Sequence, residues 1–581
     1  MAENKTCKQC QSNFTVDDAD LEFYKKLSPT FDGKVFEIPA PSLCPACRRQ
    51  RRMAGRNVTK LYRRKCDFSG KEIVSPYAPN SSNKVYGNDV YYSDKWDPFE
   101  YGRDFDFSRP FFEQFNELYL EVPVSSRNVI FEENSEFTNN ATALKSCYLL
   151  QNSKHSEDCY YGLRVNRSKD CIDSYICERS ENCYECINIE NCYNCQFSTD
   201  CVNCRDSILL DNCVGCKECF GCANLNNKQY WINNEQKTKE EFEELKDKFL
   251  NSDLAQRKVL IDKQRDFHRS QPKRFTHIYK SENVTGDYIS NSKNLFNCYL
   301  ITSSENLRYC HNIVAAKDSI DYDIWGNESE NIIECGEVGE QSRNIYFSRM
   351  IEQSQDIYYC AGLMSSHSHD CFGCAGLRQS EYCVFNKQYS KEEYEKLVAK
   401  IIEHMQETGE WGEYFPIGHN PYGYNETIAN DFHPITREEA IKIGAKWQDE
   451  DYSPSYEGSV YIAKNISQYK SENNPRAQEE VNEALAGILK CTITGKPFKL
   501  QPQELIFYIK NNIQIPNIHP DQRHTERFKL TNPFRVWHRQ CMCQGDCGQH
   551  QGQCPNEFET TYAPERPEKV YCEKCYQNIV K

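Results

Sequence analysis

Two cysteine pairs near the start of the chain, Cys7 and Cys10 in CKQC and Cys44 and Cys47 in CPAC, have the spacing of a metal site. A CxxC turn points two thiolates at one ion, and two such turns complete a closed, tetrahedral, structural four-cysteine zinc site. A third clear pair, Cys572 and Cys575, lies near the other end. Its partners must come from CMCQGDCGQHQGQC, which holds Cys541, Cys543, Cys547, His550 and Cys554. This is more than one zinc requires, and the set Cys543, Cys554, Cys572 and Cys575 is the expected one. Between them, FETTYAPERPEKVY reads as two short strands around a proline turn.

Directly after CPAC, RRQRRMAGRNVTKLYRRK carries nine cations and no acid: Arg48, Arg49, Arg51, Arg52, Arg56, Lys60, Arg63, Arg64 and Lys65. Such a segment held by a zinc ribbon suits contact with nucleic acid or a ribonucleoprotein. It suits equally a patch that pairs with the acidic remainder of a chain whose formal net charge is −15.

The densest cysteines lie elsewhere. SENCYECINIENCYNCQFSTDCVNC, from Ser180 to Cys204, holds three CxxC pairs. It sits in a repeat with Cys147, Cys159, Cys171 and Cys183 at steps of twelve, and a similar phrase returns at Ser281, Ser292, Ser304, Ser329, Ser342, Ser354 and Ser368. Ser-x-Asn/Asp marks a turn and the following residues alternate like a strand. Each unit therefore reads as one short strand and one corner, stacked into a thin β-solenoid. In an extended strand residues i and i+3 face opposite ways, so CxxC meets one metal only across a turn. Free cysteine packs as a small apolar side chain, and Ser348 stands in the same slot as Cys298, Cys310 and Cys360. Core packing is thus preferred to metal or iron–sulfur binding between Cys183 and Cys222, which stays as the alternative.

Each repeat region ends alike. FGCANLNNKQYWINNEQKTKEEFEEL from Phe220 and FGCAGLRQSEYCVFNKQYSKEEYEKL from Phe372 align without gaps at about half identity. TKEE at Thr238, SKEE at Ser390 and TREE at Thr436 are capping boxes that start helices, the first two expected to cover the open solenoid ends. The end modules are also related. CKQCQSNFTVDDADLEFYKK matches CTITGKPFKLQPQELIFYIK, and SLCPACRRQRR matches NIHPDQRHTER, so Thr494, His519 and Gln522 replace ligands and the second copy is expected to fold without metal. CDFSGKEI from Cys66 has the same knuckle form, with Ser69 in place of a second cysteine.

The fold class expected is mainly β with short helices: two tandem β-solenoid-like segments of about twelve-residue units, each closed by a capping helix, between zinc-ribbon modules. The divisions are 1–75, N-terminal ribbon with the basic segment; 76–124, an aromatic and acidic segment docking on the first solenoid; 125–236, first solenoid; 237–274, helical cap and linker; 275–388, second solenoid; 389–408, capping helix; 409–486, irregular and helical linker; 487–540, degenerate ribbon copy; and 541–581, C-terminal ribbon. No apolar run approaches the roughly 18 residues of a membrane span. No secretory signal is visible at the start, so a reducing cytoplasm without disulfides is expected. There is no Ser-His-Asp set, phosphate-cradling glycine loop or HExxH, and the CxxC pairs read as knuckle or strand contexts rather than the helix N-termini a thiol oxidoreductase needs. An enzyme built on the solenoid ranks behind a binding scaffold that contacts nucleic acid through the basic segment or protein through the repeat surface.

The pieces CKQC…LCPACRRQRR, KLYRRKCDFSGKEI, SDKWDPFEYGRDFDFSRPFFEQF, FGCANL…NKQY and FETTYAPERPEKVYCEKCYQ resemble a family of large cysteine-rich zinc-ribbon proteins from genomes of uncultivated, small-genome bacteria. The resemblance spans nearly the whole chain and implies zinc at the ends and a cytoplasmic location. The chain departs from the pattern at Ser69, Thr494 and Gln522.

Overall fold

The computed structural model describes all residues except 1, 58, 59, 363–367, 453–455, 457 and 581. The chain is mainly β with many short helices, as expected, at 31% strand and 25% helix. Two positions of the basic segment, 58 and 59, lie outside the described residues.

In the first repeat region the strands pair in parallel at a constant offset of twelve: Cys171 with Cys183, Ile187 with Thr199, Cys195 with Ser207. Isolated bridges carry the offset on to Phe220 with Ile232. One rung is therefore one twelve-residue unit. A positive φ recurs at every third residue, as at Asn182, Glu185, Asn188, Asn191 and Asn194. The expectation of one corner per unit is thus corrected to four short sides and four corners per rung.

This geometry answers why CxxC recurs. With a left-handed residue between each pair, i and i+3 both point inward instead of to opposite faces. Cys183, Cys186, Cys195, Cys201, Cys204, Cys213, Cys216, Cys219 and Cys222 are all fully buried. Most inward thiols lie within hydrogen-bond reach of the carbonyls two residues back and nine ahead, as Cys186 Sγ does of Tyr184 O and Cys195 O, both at 3.4 Å. Serine does the same in the same slots: Ser168 Oγ donates to Asn166 O at 2.8 Å and accepts the N–H of Ser180 at 3.1 Å. The slot selects a small side chain with one donor, which is why Cys and Ser interchange. At the corners Asn and Asp, the non-glycine residues best suited to positive φ, form ladders between rungs, as in Asn182 to Asn194 to Asp206.

The second region pairs likewise, with offsets of 11 to 14: Glu282 with Lys293, Lys317 with Glu330, Gln355 with His369. Its interior is richer in isoleucine, with Ile301, Ile313, Ile332, Ile345, Ile351 and Ile357 among buried Cys298, Cys310, Cys335 and Cys360. The wider interior residues suit the less regular offset.

All three capping boxes form. Thr238, Ser390 and Thr436 accept the N3 amides of helices Lys239–Asn251, Lys391–Thr408 and Arg437–Lys442. The first two helices do not plug the stacks. Phe242 and Phe249 pack on Ile208, Leu209 and Phe220, an outward column, while Trp231 of the terminal hairpin reaches the interior cluster. The aromatic and acidic segment docks on the second stack, not the first as expected. Phe99 packs against the second interior, Arg103 N–H donates to Phe385 O, Asn386 donates to Pro98 O, and Asp104 pairs with Lys387 at 2.6 Å. The following helix Phe111–Glu121 sets Phe111 against Tyr359, Phe372 and Phe385.

Candidate metal centres and the arginine clamps

The N-terminal module brings its four cysteines together: ligand atoms of Cys7, Cys10, Cys44 and Cys47 all lie within 4.8 Å of one another. Cys10 and Cys44 sulfurs are 3.8 Å apart, about the edge of a tetrahedron with Zn–S bonds of ~2.3 Å. CKQC forms a knuckle, with Gln11 N–H donating to Cys7 O and Cys7 N–H to Ser12 O. CPAC does not form a second knuckle. Cys44 is the N-cap and Cys47 the third residue of helix Pro45–Met53, with Pro45 at the first position, where its missing N–H costs no bond. The expectation that these pairs avoid helix N-termini is corrected here and at Cys572, which caps helix Glu573–Ile579. Hydrogen bonding from Cys47 lowers the Cys44 thiol to about 5, while Cys47 itself is raised. One thiol of the pair is thus ready to ionise first, as a ligand must.

At the C-terminus two groups form, not the single one expected. Cys554, Cys572 and Cys575 meet Cys541, whereas Cys543 joins Cys547, His550 and Cys575. Cys543 belongs to the second group because Gly545 (φ 98°) turns the loop back on itself, where a Cβ would stand 2.9 Å from His550 O. The N–H of Cys572 donates to Cys541 Sγ at 3.2 Å and Asn556 Nδ2 to Cys572 Sγ at 3.3 Å. Burial raises both thiols, reaching about 11 at Cys541, but at Cys572 the Asn556 and Cys575 donors outweigh it and bring the value to about 7. The two strands of FETTYAPERPEKVY exist but do not pair with each other. Glu557–Thr560 runs antiparallel to Trp537–Gln540, and Val570–Tyr571 runs parallel to Lys273–Arg274 beside the second stack.

Among the described residues these three are the groups of metal-ligating side chains, and the repeat cysteines join none of them. The donor sets, thiolates with at most one imidazole, fit a soft-to-borderline ion such as zinc. In the copy at 487–540, Cys491 receives the Thr494 N–H at 3.5 Å and the His519 N–H, so His519 serves as an amide donor. Its ring Nδ1 instead accepts the Asp521 N–H at 3.1 Å. Cys66 is likewise a lone knuckle thiol, with N–H donors from Ser69 and Gly87.

The basic segment is not a free cationic surface. Arg48, Arg49, Arg51, Arg52 and Arg56 are buried. Helix Pro45–Met53 lays the first four on the second stack, where Arg48 meets Asp321 at 2.7 Å, and Arg52 meets Asp323 at 2.6 Å and Asp321 at 3.1 Å. Arg49 lies 3.7 Å from Asp323, Arg51 pairs with Glu334 and Glu413, and Arg56 with Glu337. Tyr309, Tyr299 and Tyr414 lie against Arg48, Arg49 and Arg51. Lys60 bonds Asp521 and Arg64 bonds Asp67. Arg63 is exposed but paired with Glu72, and Lys65 is exposed. The expected phosphate contact is corrected for the five arginines: a buried guanidinium held by carboxylates cannot reach a phosphate.

The second copy repeats the clamp on the first stack. Helix Pro520–Phe528, capped by His519, places Arg523 and Arg527 on Asp173, and Arg527 also on Glu185 at 3.3 Å. Arg48 and Arg523 are equivalent, as are Arg52 and Arg527. Arg48 and Arg52 share the corner residue Asp321 as Arg523 and Arg527 share Asp173, and Glu334 and Glu185 stand one rung on, all four carboxylates at positive φ; Arg52 bonds Asp323 in addition. The sequence match of the ends signalled the shared helix, but not that each module would grip the stack farther from it.

No protein-family model and no curated protein matches the chain. One solved structure aligned to it is a "putative acetyltransferase" from Desulfovibrio desulfuricans G20, at 8% identity, covering 41% of this chain and 66% of that one, with a TM-score of 0.11. So low a score carries no argument. Among the described residues no helix is long and apolar enough to cross a membrane.

Proposed function

We propose that the chain is a zinc-braced binding scaffold: two β-solenoids gripped by related end modules, with zinc in the N-terminal and C-terminal ribbons. The observation that carries it is the coupling of metal set to clamp. Cys44 and Cys47 begin the same helix whose Arg48 and Arg52 enter the second stack, so a metal there would fix the clamp's root. The constant parallel offset and recurrent corners support the solenoid reading. The quoted motifs support membership of the cysteine-rich zinc-ribbon family named above. With the arginines engaged internally, and with the first-region ladder partly covered by Asn511 and Tyr576, the Asn283–Asn294–Asn306 ladder of the second stack is the better candidate surface for a partner.

The deciding experiment measures zinc, iron and acid-labile sulfide per chain on protein purified without oxygen. Zinc lost in Cys10→Ser, with no iron or sulfide, supports the reading. Sulfide, or metal lost in the double variant Cys192→Ser/Cys195→Ser, would transfer the chemistry to the repeat cysteines and overturn it.

A further inference from the structure

We infer that the C-terminal ribbon holds two metal ions joined by a bridging thiolate, Cys575. The inference rests on the zinc-ribbon reading and extends it. Two tetrahedral ions sharing one ligand need seven donors, and the two groups supply seven: Cys541, Cys554 and Cys572 on one side, Cys543, Cys547 and His550 on the other, and Cys575 in both. Four separate donors for each ion would need eight.

The distances place Cys575 at the shared corner. Its sulfur is 3.6 Å from Cys547 Sγ and 3.3 Å from His550 Nε2 on one side. On the other, Cys554 and Cys572 sulfurs stand 4.0 Å apart, and the Cys575 sulfur also lies within 4.8 Å of both. These are the edge lengths of tetrahedra with Zn–S bonds of ~2.3 Å and Zn–N bonds of ~2.0 Å. The His550 ring is turned so that it can ligate. Its Nδ1 faces Gly552 O at 2.9 Å, a carbonyl that holds the proton on Nδ1 and leaves the Nε2 lone pair toward the sulfur. Amides supply the outer ring, Cys572 N–H to Cys541 and the N–H groups of Gly545 and Cys547 to Cys543. Loading two divalent ions displaces six thiol protons to solvent and leaves the imidazole neutral. Six thiolates against two Zn2+ give a site of net charge −2, and sharing Cys575 lets both ions neutralise the thiolate that has the most sulfur around it.

The experiment uses the full chain with zinc, then with 113Cd. Wild type is expected to hold three zincs, one N-terminal and two C-terminal. His550→Ala, at a half-buried side chain, is expected to hold two, and Cys10→Ser, at the exposed N-terminal ligand, also two. The 113Cd spectrum of wild type is expected to show two C-terminal resonances, one shifted by a nitrogen ligand, coupled to each other through the shared sulfur. Two zincs in wild type that persist in His550→Ala, or C-terminal resonances without mutual coupling, would overturn the bridged pair while leaving a single-zinc ribbon intact. No bound zinc in wild type would remove the zinc-ribbon reading itself.

Discussion

Arg52→Met is the sharpest test of the N-terminal clamp. The Arg52 side chain is 0% exposed and its guanidinium lies 2.6 Å from Asp323, 3.1 Å from Asp321 and 3.8 Å from Glu334. Burial works against its charge, but the three carboxylates outweigh that and hold it more firmly protonated than a free arginine. Methionine keeps most of the volume and removes the charge. Asp321 then retains Arg48 at 2.7 Å, while Asp323 is left with Arg49 at 3.7 Å as its nearest cation. Breaking a buried pair from one side costs about 3–5 kcal/mol, because the remaining charge is uncompensated. Arg48 and Arg49 soften this, so the expected loss is about 3 kcal/mol, near the bottom of that range. Exposed Arg63→Met, the control, should cost under about 1 kcal/mol. The assay is native-state hydrogen exchange of helix Pro45–Met53 with urea unfolding followed alongside. Adding Asp323→Leu to Arg52→Met should recover much of the loss, since the stranded carboxylate goes too. An Arg52→Met loss no larger than that of Arg63→Met, or no recovery in the pair, would refute the clamp.

Three other outcomes follow from the same physics. Chelation should release zinc and raise exchange in Pro45–Met53 and Glu573–Ile579 while the repeat amides stay protected; loss of protection throughout would contradict metal braces confined to the ends. Cys195→Ser should cost about 1 kcal/mol, since Ser207 occupies the next rung of that column, whereas Cys195→Leu should cost about 1–3 kcal/mol by overpacking; equal costs in urea unfolding would refute the small-donor slot. His277 stacks on Tyr288 and faces Asp287 at 3.0 Å. Burial lowers its pKa, but Asp287 and Asp200 outweigh burial and the opposing Arg274, raising it from 6.5 to about 9. A raised base stabilises fully below its unfolded value and loses that contribution as pH climbs through the folded one, so stability should fall between pH 6.5 and about 9 by on the order of 3 kcal/mol. The lowered Asp287 makes the opposite contribution, lost as pH falls below the ordinary carboxylate range. His277→Asn should flatten the alkaline slope in urea midpoints, and an unchanged slope would refute the assignment.

The twelve-residue period, the capping boxes and the meeting of the four N-terminal cysteines were legible because each is local: a spacing, a Thr/Ser-x-x-Glu, two CxxC pairs. The corner at every third residue was not, because its signal is a backbone angle carried by Glu185, Phe197 and Leu209 as well as by Asn. The fate of the arginines was half legible. Pairing with acids and contact with phosphate look the same in RRQRR, and only the distant Asp321 and Asp323 decide between them. The C-terminal ligands were undecidable by counting, since one cysteine serves two groups.

The crossed grip of the end modules sets an order of events during synthesis. Arg48 must wait for Asp321, 273 residues later. At 5–20 residues per second that is roughly 15–55 seconds on the ribosome. Through that interval the helix's dock is not yet made, and the first module has only its own packing, the four-cysteine group of CKQC and CPAC, and earlier contacts such as Arg56 with Asn152. Its copy meets no such delay. Asp173 precedes Arg523 by 350 residues, so the dock stands ready when the helix emerges. The module whose dock precedes it carries Thr494, His519 and Gln522 where the module that must wait carries Cys10, Cys44 and Cys47.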